Sequence, residues 1–122
     1  MLAWQSAARG LHDDARQALE RARALTDRAG TTGVAAHQAI TAAFCALCRG
    51  DLAEAAALLE ARIAADGGVG SMGEPVGVAP DLVEAYVGLG RAADAAALAG
   101  RYAEVSASSP APPTVALVAR CR

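Results

Sequence analysis

From Leu11 onward, apolar residues return at helical spacing: Ala15, Ala18, Leu19, Ala22, Leu25 and Ala29 form one stripe. Asp13, Asp14, Arg16, Gln17, Glu20, Arg21, Asp27 and Arg28 fill the positions between them. Steps of three and four residues place such a stripe on one face of an α-helix, with the polar residues on the other. Leu52, Ala55, Ala56, Leu59 and Ile63 draw the same stripe later in the chain. The pattern predicts about seven helices, over 2–9, 12–29, 34–49, 52–65, 81–89, 92–106 and 112–122. The breaks over 66–80 and 106–113 have no strand character, so the expected fold class is all-α.

The stripes belong to a repeat. Arg9-Gly10-Leu11-His12-Asp13-Asp14-Ala15, Arg49-Gly50-Asp51-Leu52-Ala53-Glu54-Ala55 and Leu89-Gly90-Arg91-Ala92-Ala93-Asp94-Ala95 share one plan, with their glycines forty residues apart. An acidic residue and then Ala follow each glycine by four and five places. Glycine reaches the left-handed backbone that ends a helix without a Cβ penalty. Each segment therefore reads as a helix, a tight turn at Gly, and a second, antiparallel helix. Asp51 with Glu54 has the form of a capping box, which supplies acceptors to the unpaired amides of a helix start. Asp81 with Glu84, just after Pro80, marks another start in the same way.

Composition agrees with helices packed closely. Hydrophobic residues make up 54% and charged ones 20%, the balance of a globular chain. Alanine dominates, and the aromatics are only Trp4, Phe44, Tyr86 and Tyr102. Alanine is the strongest helix former, and its small side chain lets helices approach. All eleven basic residues are Arg, with no Lys and no Asn, a bias that points to a high-GC bacterial genome. The net charge is −2 with no basic stripe, so direct nucleic-acid contact is not expected of this segment. No apolar run approaches the roughly 18 to 20 residues of a membrane span, and residues 1–10 have no signal-peptide pattern. Three cysteines, an odd number, read as reduced thiols in the cytoplasm.

Met1 and Arg122 stand almost three periods apart, so both ends fall inside a first helix. Polar capping repeats close a natural solenoid, whereas Val115, Leu117, Val118 and Cys121 would lie on an unfinished helix. The expectation is one repeat domain over 1–122 taken from a longer array, with exposed ends that favour a homodimer.

The Gly turn and Ala-rich second helix resemble tetratricopeptide-type repeats lengthened to forty residues. More narrowly, Ala79-Pro80-Asp81-Leu82-Val83-Glu84-Ala85-Tyr86-Val87-Gly88-Leu89-Gly90-Arg91, followed later by Ala119-Arg120-Cys121-Arg122, resembles the C-terminal helical region of large LuxR-type transcriptional regulators. That resemblance implies a right-handed α-solenoid of about three antiparallel helix pairs. It also implies a sensor or interaction arm that holds an inducer or partner protein and aids oligomerisation. In the family an ATP-binding domain precedes such repeats and a helix-turn-helix DNA-binding domain follows them. Neither is present here: without Lys no Gly-Lys-Ser/Thr phosphate loop exists, and no base-reading helix is visible.

Other motifs have ordinary readings. Gly68-Val69-Gly70-Ser71-Met72-Gly73 matches the dinucleotide fingerprint in letters, but that site needs a preceding strand and a following helix N-terminus. Here it reads as a linker. Cys45-Ala46-Leu47-Cys48 would need two more ligands for zinc, with His37 the nearby candidate. Its place near a helix C-terminus is also wrong for a redox pair, so both thiols read as small buried residues. His37 reads as packed and hydrogen-bonded, His12 as solvated in its turn. No Ser or Cys has a His and a carboxylate at motif spacing, so no enzyme, cofactor or metal is expected.

Trp4 and Phe44 lie forty residues apart and take the same place in consecutive first helices. With the Gly turn as register mark, that place faces the concave side of a tetratricopeptide-like stack, together with His37, Ile40 and Leu47. One reading is an apolar groove for a peptide helix or ligand. The other, favoured for aromatics at helical spacing, is inter-repeat packing. The third equivalent position is Glu84, where the aromatic stripe stops. The expected function is the sensor or interaction segment of a LuxR-like regulator. The alternatives are a stand-alone helical-repeat adaptor and a helical accessory domain of an enzyme.

Overall fold

A computed structural model describes residues 2–29, 32–65 and 78–107. These form six helices: α1 (Leu2–Ala8), α2 (His12–Ala29), α3 (Thr32–Arg49), α4 (Leu52–Ala65), α5 (Val78–Gly88) and α6 (Ala92–Ala107). Among the described residues there is no strand. The helix predicted over 112–122 and the glycine-rich run 68–73 lie outside them. The chain divides into two compact units, Met1–Leu58 and Leu59–Arg122. In the first, α1 packs on α2 and α3, and α2 packs on α3. In the second, α5 packs on α6.

Three corners are built alike. Gly10, Gly50 and Gly90 have φ of 77°, 79° and 75°, and are the positive-φ residues among those described. The amides of Gly10, Gly50 and Gly90 donate to Ala7, Leu47 and Val87 at 3.0, 3.0 and 3.1 Å. The next amides, of Leu11, Asp51 and Arg91, reach back to Ser6, Ala46 and Tyr86 at 2.9, 2.9 and 2.8 Å. This pair of bonds absorbs carbonyls that a helix end leaves unpaired. The residue after each glycine also opens the next helix: the carbonyls of Leu11, Asp51 and Arg91 accept from Ala15, Ala55 and Ala95. Those three alanines are buried. One corner thus consumes the Gly, its successor and the Ala five places on, which is why these letters recur together.

The capping box at Asp51 forms by half. Asp51 Oδ1 accepts the Glu54 amide at 3.2 Å. The reciprocal bond is missing because the Asp51 amide is already spent on Ala46, and Glu54 turns instead to Arg49 at 2.6 Å. The start predicted at Asp81–Glu84 is displaced. Helix α5 begins at Val78 and takes Pro80 into its first turn, where a missing N–H and a fixed φ cost nothing; Asp81 is then inside the helix.

The core of the first unit is made of small residues, Ala3, Ala7, Ala15 and Cys45, with Ala18, Leu19, Phe44 and Cys48 packed against it. At the place seven residues before each corner glycine, Ala3, Ala43 and Val83 are all buried. The stripe of α2 departs from its prediction at the C-terminal end. Leu25 is 65% exposed and Thr26 is buried in its place. The Thr26 hydroxyl donates to the Ala22 carbonyl at 2.9 Å and accepts from Gln38 Nε2 of α3 at 2.5 Å. A buried hydroxyl is tolerated when both its bonds are made.

Candidate functional site

Helix α1 carries Trp4, and α3 carries His37, Ile40, Phe44 and Leu47 along one side at helical spacing. The shared register brings Trp4 and Phe44 together: their ring centroids are 4.9 Å apart, with 23° between the planes. Phe44 is half-buried and also packs against the small-residue core. Trp4 remains 49% exposed. From Phe44 the contact is helix packing, whereas from Trp4 it is a surface platform. Ile40 and Leu47 are half-buried. His37 is exposed, so the packed reading of that residue does not hold. Glu84, the third register equivalent, is exposed as well.

A second feature of the same unit was not legible in the sequence. A cleft of about 290 Å³ runs between α2, α3 and the start of α4. Arg16, Glu20, Arg23, Arg49 and Glu54 line it over a floor that includes Leu19, Ala42 and Cys45, with His12 and Asp13 at the N-terminal end of α2. Arg16 meets Glu20 at 3.1 Å and Asp13 at 3.8 Å. His12 is half-buried at the head of α2, not solvated in a turn, and its Nδ1 is buried with no hydrogen-bond partner. Residues alternating in charge along a helix read as solvated surface, so only His12 gave any signal, and its ring faced the wrong way in that reading.

Cys45 is buried, with Sγ 3.7 Å from the Ala3 carbonyl. Burial, and then the neighbouring Cys48, push its thiol up from the ordinary value. A thiol held protonated in this way is a poor nucleophile and a poor metal ligand. Among the described residues no group of three or more His, Cys, Asp or Glu is placed to hold a metal ion. No helix among them is long and apolar enough to cross a membrane.

In the second unit Glu60, Tyr86, Arg91 and Asp94 are joined in one polar network. The Tyr86 hydroxyl donates to Glu60 Oε1 at 2.7 Å, and Arg91 Nη1 donates to the same oxygen at 3.0 Å. Arg91 Nε donates to Asp94 Oδ2 at 2.8 Å, while its guanidinium lies 4.3 Å from the Tyr86 ring centroid. Burial, followed by the bond to Glu60, pushes the Tyr86 phenol up to about 12.

No family model, curated protein or solved structure matches this chain. The described residues present a half-exposed aromatic stack, a cleft lined by charged side chains, and at Cys45 a buried thiol.

Proposed function

We propose that this chain is a binding segment of tetratricopeptide type, a right-handed solenoid of antiparallel helix pairs that serves as the sensor or interaction arm of a LuxR-like regulator. The observation that carries the binding role is the Trp4–Phe44 stack, which leaves 49% of Trp4 open beside half-buried Ile40 and Leu47. An indole anchored on one side and open elsewhere offers a large apolar contact at little entropic cost, as binding surfaces do. Three corners with one geometry support the solenoid. The regulator context rests on the resemblance of residues 79–91, which form nearly all of α5 and its corner. DNA binding would then belong to another domain, in keeping with a net charge of −2.

Trp4 is the single tryptophan, so its fluorescence reads this face alone. Titration with an amphipathic Leu-rich model helix should shift the emission saturably, and a sequence-scrambled control peptide should not. Equal responses to both peptides, or a flat response to the amphipathic one, would refute a helix-accepting groove.

A further inference from the structure

We draw no further inference here: the strongest candidate, the surface patch on the C-terminal half of α2 where exposed Leu25 lies between exposed Arg21 and Arg28, carries nothing, because a single exposed leucine is ordinary surface and nothing in the structure shows what covers it.

Discussion

Tyr86 donates its phenolic hydrogen to Glu60 at 2.7 Å, tying α5 to α4 within the second unit, while Arg91 covers the ring and shares the same carboxylate oxygen. The bond exists only while the phenol is protonated. Its raised value, about 12, against about 10 in an unfolded chain, sets the window. The contribution is fully present below about pH 10 and disappears as pH rises through about 12. Tyr86→Phe should cost about 1 kcal/mol at neutral pH, a typical net hydrogen bond. The gap between wild type and variant in urea melts should narrow to nothing above the higher value. A gap that stays constant to high pH would assign the loss to packing instead.

Substitution of the corner glycines tests the repeat directly. At Gly10, Gly50 and Gly90 a Cβ would meet nothing within 4 Å, so the penalty is one of backbone conformation alone. Each Gly→Ala change should cost roughly 1–2 kcal/mol, and Gly→Asn less, because Asn tolerates the left-handed region. Chemical denaturation of the three pairs should give similar differences. A neutral Gly→Ala at any corner would contradict the φ found there.

Asp51 caps α4 through the Glu54 amide. Asp51→Ala should lower stability by about 1 kcal/mol. Glu54→Gln should cost a few tenths at most, because its partner Arg49 forms a surface ion pair of the class worth about 0–1 kcal/mol. Reversal of that order in thermal melts would mean that the ion pair, not the cap, holds the helix start.

The Trp4–Phe44 stack is suited to a double-mutant cycle. Trp4→Ala, Phe44→Ala and the pair together should give a coupling of about 0.5–1.5 kcal/mol. Phe44→Ala should be the costlier single change, since Phe44 also packs on the core formed by Ala3, Ala7, Ala15 and Cys45. Equal single effects with no coupling would show that the rings do not meet in solution.

Much of the fold could be read from letters, and the reason is locality. Positions of the helices through residue 65 follow from apolar spacing, and the start of α5 moved only because Pro80 is accepted in a first turn. The equivalence of Trp4 and Phe44 also follows from counting, since equal distances from Gly10 and Gly50 give equal register. Their exposure does not. It depends on what α1 and α3 leave uncovered.

What this sequence determines by itself is therefore the all-helical character and the three glycine corners, because a helix and its end are written within a few consecutive residues. Tertiary structure alone decided that Thr26 goes inside and Leu25 out, that His12 is half-buried with an orphaned nitrogen, and that a cleft opens above Ala42. Those outcomes depend on how neighbouring helices cross and which side chains they bring, and residues far apart in the chain share no local pattern that records them.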